Sequence, residues 1–224
     1  MRFARNVRLA GFLALITAAM ILAAPPAWAA QISVANLTGD GISIGADVQK
    51  AVLGINMTGG TSLNGVNVVL DDAGTAGNFD LATLSDLQAS PDGIAVYRDN
   101  GSTDDQLDAT DTRVSTGFSN SAGNVDVTVS SAVPAAAEGN YTFFLTIRTS
   151  NTIATGDDFK VSIPSPLLGC AFQTTPGTLL CSGDTTGMIT ADTTVPTAAM
   201  TSAPTTVDGN VVWTFSEDVV GVST

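Results

Sequence analysis

Short stretches rich in Val, Ile, Thr and Phe recur along this chain, and none is long enough to build a helical layer. They are Ile32 to Leu37, Ala51 to Met57, Val66 to Leu70, Ile94 to Tyr97, Val125 to Val129, Tyr141 to Ile147 and Phe159 to Ile163. Gly, Asn, Asp and Pro separate them, and these residues favour turns. In Val125-Asp126-Val127-Thr128-Val129 apolar and polar residues alternate, the period of a strand with one wet face. Tyr141 to Ile147 (YTFFLTI) is apolar almost throughout, which places it centrally in a sheet. Regularly spaced short strands predict an all-β fold, an antiparallel β-sandwich of Greek-key or jelly-roll kind. Phe79 to Leu87 and Val133 to Glu138 have the composition for a helical turn or two, too short for a layer.

Residues 1 to 30 stand apart from that pattern. A basic start (MRFARNVR), an apolar run from Leu9 to Ala24 and the small-x-small triplet Ala27-Trp28-Ala29 form a signal peptide, with cleavage expected after Ala29 or Ala30. The run falls short of the ~20 residues of a spanning helix, so no membrane span is expected after cleavage. The segment carries Arg2, Arg5 and Arg8 and no acid; removing three of the eight Lys and Arg leaves 5 against 21 acids. A chain this acidic repels a phosphate backbone, which excludes nucleic acid as a partner. Glu138 and Glu217 are the only glutamates among those 21 acids, so 19 are aspartates. Aspartate suits turns and caps, where its short side chain reaches nearby backbone. Export also bears on Cys170 and Cys181, the only cysteines, which flank the turn Thr175-Pro176-Gly177-Thr178. They predict a disulfide across a local hairpin.

The densest chemistry lies between Arg98 and Arg113, RDNGSTDDQLDATDTR, with five aspartates. Counted back from Asp111 as position twelve, Asn100, Ser102, Asp104, the Gln106 carbonyl, Asp108 and Asp111 fall at positions 1, 3, 5, 7, 9 and 12, with Asp99 just upstream. This spacing resembles the calcium loops of the EF-hand and dockerin families. It departs from them in having Asp105 at the sixth position, where glycine makes the sharp turn, and strand-like flanks in place of helices. Two readings follow: an irregular β-loop stabilised by calcium, or a solvated acidic loop. A second acidic turn, Asp71 to Asp80, has fewer carboxylates and more glycine and reads as a plain loop.

Composition shifts at Thr190 to Thr206, where Thr, Ala and Pro dominate like a linker. Residues 31 to 191 are therefore expected to form the sandwich, and residues 192 to 224 the linker and the opening of another unit. Asp192-Thr193-Thr194-Val195-Pro196-Thr197, then Val212-Trp213-Thr214-Phe215-Ser216-Glu217-Asp218-Val219 and Gly221, resemble the opening of bacterial Ig-like repeats. The resemblance covers about the last 33 residues and implies a truncated repeat here, further repeats downstream and a multidomain surface protein.

Gly41-Ile42-Ser43-Ile44-Gly45 spells the G-x-S-x-G nucleophile elbow, but that mechanism needs a histidine base and the chain has no histidine. The pentapeptide reads as a turn and a short strand. What survives is a non-catalytic structural or adhesive module, secreted or cell-surface exposed, with its ligand unknown. The alternative is a carbohydrate-binding accessory module of a larger extracellular enzyme. Sugar rings stack on exposed aromatics, and the sandwich segment offers few beyond Tyr97 and Tyr141.

Overall fold

A computed structural model describes residues 30–72, 79–100, 106–132, 141–165, 170–175, 178–194, 197–202 and 212–215. Of the predicted signal peptide, residues 1 to 30, all but Ala30 lie outside these residues, as does the Val133 to Glu138 segment. Among the described residues there is no helix. In chain order the strands are β1 (Ala30–Asn36), β2 (Gly41–Ile44), β3 (Gln49–Thr58), β4 (Ser62–Asp72), β5 (Ile94–Arg98), β6 (Thr112–Arg113), β7 (Ser115–Ser121) and β8 (Asn124–Ala132). They continue with β9 (Phe143–Arg148), β10 (Asp158–Ile163), β11 (Phe172–Thr175), β12 (Thr178–Cys181), β13 (Asp184–Thr185), β14 (Met188–Ala191), β15 (Ala198–Ser202) and β16 (Val212–Phe215).

Two sheets make a sandwich. The first has six strands in the order β12-β1-β3-β9-β5-β6; the second runs β2-β14-β10-β4-β8-β7, with β11 added on β4 and β13 on β10. Alternation decides what each strand buries: in β8, Val125, Val127 and Val129 are buried while Asp126 and Thr128 face water. Phe143, Leu145 and Ile147 of β9 meet Leu53 and Ile55 of β3 and Ile94 and Val96 of β5 in the core. Phe79 stacks on Phe159 with ring centroids 4.2 Å apart. All-β architecture and the central place of the Tyr141 to Ile147 segment thus follow the sequence pattern.

The outer face of the first sheet is less ordinary. Phe144 and Thr146 alternate away from the core yet are fully buried. The Tyr141 ring accounts for part of this cover: it meets Phe144 edge-on at 6.0 Å and lies over Gly54, where a Cβ would come within 2.5 Å of the ring. Glycine at 54 is what lets the tyrosine lie flat on the sheet.

The ladders are antiparallel, as the sequence led one to expect, at all but two places. β1 pairs with β12, and β2 with β14, in parallel. The cause is that β1 and β2 are consecutive, joined by a hydrogen-bonded turn from Thr38 to Gly41 that carries the chain out of the first sheet at Leu37 and into the second at Gly41. The C-terminal strands line up beside it in the same direction. Phe79 to Leu87 forms turns, not a helix; Leu84 has a positive φ of 55°, which interrupts any helical run. Beyond the sandwich, β15 pairs antiparallel with β16, so part of the Thr/Ala/Pro stretch is a strand.

The β7–β8 hairpin turns on two residues, Ala122 (φ 49°) and Gly123 (φ 86°). Both central positions of such a turn are left-handed, which suits Asn-Gly and strains alanine. Ala122 is exposed, so nothing but the backbone is at stake. Ala122→Asn is expected to raise stability by about 0.5–1 kcal/mol, seen as a melting-temperature rise of roughly 1–4 °C in a thermal melt.

Candidate functional site

The acidic stretch leaves β5 at the end of the sandwich where Arg98 pairs with Phe143, and returns through β6, where Thr112 pairs with Arg98. In between, Gln106 and Leu107 come to rest against β3, where they line a 270 Å³ cavity with Leu37, Gln49, Lys50 and Ala51. Residues 106–111 therefore form a strap that meets the outer face of the first sheet at β3.

Carboxylates close the strap on itself. Asp111 accepts from the backbone N–H of Asn100 at 3.1 Å through Oδ1 and from that of Asp108 at 2.9 Å through Oδ2. Asp108 Oδ1 accepts from the Thr110 N–H at 2.7 Å and from its hydroxyl at 2.6 Å. The Asn100 amide donates to the Thr110 carbonyl at 2.6 Å and to Thr112 Oγ1 at 2.8 Å. Asp99 is buried, its N–H bonded to the Thr142 carbonyl, and Gln106 is exposed. Ser102 and Asp104 lie outside the described residues. Of the residues named as a calcium set, the structure thus brings Asn100, Asp108 and Asp111 together, and the bonds commit them to loop closure. Among the described residues no group of three or more His, Cys, Asp or Glu side chains converges as a metal site. Most of the second acidic turn, residues 73–78, also lies outside the described residues.

Cys170 and Cys181 form the predicted disulfide, with Cα atoms 6.0 Å apart. Its setting differs from a hairpin staple. β11 lies on β4 in the second sheet, with Phe172 buried beside Val66, whereas β12 lies on β1 in the first. The bridge therefore ties one sheet to the other. Closing a loop of separation 11 contributes about 2–3 kcal/mol in the chain-entropy picture.

Ser43, the serine of the G-x-S-x-G match, is an exposed residue of edge strand β2. It lines an open groove of 600 Å³ with Thr155, Gly156, Met188, Thr190 and Asp192, and the one titratable group of that set, Asp192, has its basicity held down by the Thr194 hydroxyl and N–H.

Registers define two poles. Gln31 pairs with Thr58 at one end of the first sheet, while Gln49 pairs with Arg148 at the other. In the second sheet Ala191 pairs with Ile44, and Phe159 with Asp72, at that same far end. The far pole gathers Asp80, the last acid of the second acidic turn, with Asp86 and Asp157, which the sequence did not single out. Asp80 is held low, at about 2, first by the Thr83 hydroxyl and then by the backbone N–H of Thr83, with the Ser85 hydroxyl and the Ala82 N–H adding to it. Asp86 is pushed up, first by burial and then by the charges of Asp157 and Asp80, although its Oδ2 accepts from the Asp80 N–H at 2.6 Å. Asp157 is buried, with Oδ2 on the Ala154 N–H at 2.9 Å. One exposed ion pair lies at this end, Arg148 with Asp47 at 2.9 Å; another joins Asp92 to Arg113, which pairs with Tyr97 farther along β5.

No protein-family model matches the chain, and no curated protein matches it. Among solved structures the chain is similar to the sixth cohesin of scaffoldin B from Acetivibrio cellulolyticus, crystallised in complex with a mutant dockerin. The identity is 12%, the coverage 74% of this chain and 99% of that one, and the TM-score 0.28.

The two perturbed carboxylates act on stability in opposite directions. Asp80, lowered, contributes stability that is present above the ordinary aspartate value of 3.8 and is lost as pH falls through about 2. Asp86, raised, contributes stability that is present below 3.8 and is lost as pH rises through its elevated value. Asp86→Asn keeps an acceptor for the Asp80 N–H and removes the charge beside Asp157. It is expected to be more stable than the parent at pH 7 and to gain less on mild acidification, measured by urea unfolding across pH 4 to 7.

Proposed function

We propose that this chain is a non-catalytic structural module of an exported, multidomain bacterial surface protein, acting as a spacer or adhesive stalk unit. The observation that carries the reading is the position of the two chain ends of the sandwich. β1 begins at one pole and β14 finishes at the other. Successive units joined through such ends extend in line instead of folding back. A disulfide joining the sheets fits an oxidising compartment outside the cytoplasm. The Ig-like segment from residue 192 onward supplies, on this reading, the next unit of the stack.

Aromatic residues argue against the carbohydrate-binding alternative. Phe143, Phe144, Phe159 and Phe79 are buried, and Tyr141 lies on the sheet against Phe144. Among the described residues of the sandwich the exposed large apolar side chains are Val48 and Leu180, which offer no flat ring for a sugar.

Calcium belongs to the same proposal. The strap would share the carboxylates of Asp108 and Asp111 with an ion completed by Ser102 and Asp104, and the ion would offset repulsion among five neighbouring aspartates. Millimolar calcium is then expected to raise the melting temperature of the full chain, and Asp104→Ala to abolish the rise. An unchanged melt removes the ion and leaves the spacer.

The spacer itself is tested by distance. Spin labels at Gln31 and Thr194 of the full chain are expected to give one narrow separation of roughly 45 Å by pulsed dipolar spectroscopy, the rise of the β1–β2 passage. A separation below roughly half that value would place both ends at one pole and end the proposal.

A further inference from the structure

The last part of the sandwich follows the first part in parallel along nearly its whole length. Leu180 and Cys181 pair with Gln31 and Ile32. The Ser182 N–H donates to the Ile32 carbonyl at 3.0 Å, and the Val34 N–H to Ser182 Oγ at 3.2 Å. The Asn36 N–H donates to Asp184 Oδ2 at 2.8 Å, and the Gly187 N–H to Thr38 Oγ1 at 3.0 Å. β14 then pairs with β2 from Met188 and Gly41 to Ala191 and Ile44, and the Asp192 N–H closes the series on the Ile44 carbonyl at 2.9 Å. One segment thus runs beside the other from residue 31 to residue 44, changing sheets together with it.

We infer that this parallel track is a mechanical lock, loaded in shear when tension is applied through the two ends of the domain. The inference takes its biological use from the spacer reading; its geometry stands on the pairing alone. Tension draws β1 and β2 toward the first pole and β14 toward the second. The two segments must then slide past each other, and every bond between them is strained at once. Pulling adjacent antiparallel ends apart, by contrast, opens bonds one after another.

Two features sharpen the lock. β1 is also bound to β3 over six paired residues, so the first segment cannot swing away from the sandwich while the second is pulled. The start of the second segment, Cys181, is tied to Cys170, which keeps the residues between them out of any extension. Within β2, Ile44 accepts from β14, and alternate residues of a parallel strand bond the same neighbour, so Ile42 is the other residue whose N–H and C=O face β14. Proline at 42 removes that donor.

The test is force spectroscopy on the full chain with handles at positions 31 and 194, compared with handles at 31 and 58. The second pair opens the β1–β3 ladder from its end, since Gln31 pairs with Thr58. Rupture through 31 and 194 is expected at a force several-fold higher. Ile42→Pro is expected to lower that force and leave the 31/58 force unchanged. Reduction of the disulfide is expected to lengthen the full extension by roughly 30 Å, from a separation of 11 residues less the 6.0 Å already spanned. Equal or weaker rupture through 31 and 194 overturns the lock, as does an Ile42→Pro chain that ruptures like the parent. If Ile42→Pro does not fold, the two handle geometries on the parent chain decide alone. A weak rupture with the pole-to-pole distance intact sinks the lock and spares the spacer.

Discussion

The passage from Ala30 to Ile44 is the constraint on which the architecture depends. A strand that leaves one sheet for the other needs partners on both, and it finds β3 and β12 before the switch and β14 after it. Its side chains follow: Ile32 enters the core from the first sheet and Ile44 from the second. Near the switch, Thr38 is buried, its N–H on Asn36 Oδ1 at 2.7 Å and its hydroxyl accepting from Gly187. Losing these bonds would leave buried backbone donors unsatisfied where the chain crosses between layers.

Aspartate is abundant because the loops use its carboxylate as a backbone acceptor. Asp80, Asp86, Asp108, Asp111, Asp157, Asp184 and Asp192 each take at least one main-chain N–H. Glutamate, one carbon longer, reaches such nearby donors poorly, which accounts for 19 aspartates against two glutamates. The same residue type therefore closes turns at the far pole and in the strap, without any need for a reaction to explain it.

How much of this was legible in the sequence depends on distance along the chain. Val125 to Val129 announced β8 because alternation is local, and Cys170 with Cys181 announced a bridge because they lie close together. The parallel track could not be read, since Asn36 and Asp184 are 148 positions apart and neither carries a signal of the other. Nor could the cover over Phe144: an apolar YTFFLTI run says that both faces are buried, but not that Tyr141 and a glycine in β3 cover the second. The acidic strap was seen as chemistry, and its lie across β3 was not, because Gln106 and Leu107 carry no pattern pointing to Ala51.

Charge placement follows from the same topology. Loops that join strand ends must lie at the poles or cross a face, so a chain whose acids sit in loops concentrates them there. The far pole receives Asp47, Asp80, Asp86 and Asp157, and within this set Arg148 pairs with Asp47. Exposed pairs of this kind contribute about 0–1 kcal/mol, too little to offset the crowding. The repulsion is instead absorbed by the main-chain N–H groups that Asp80, Asp86 and Asp157 gather, and where burial outweighs them, as at Asp86, the proton is held more tightly. Asp80, Asp86 and Asp192, whose titration is displaced, lie at the pole where the sandwich hands over to residue 192, and they couple the stability of that pole to pH.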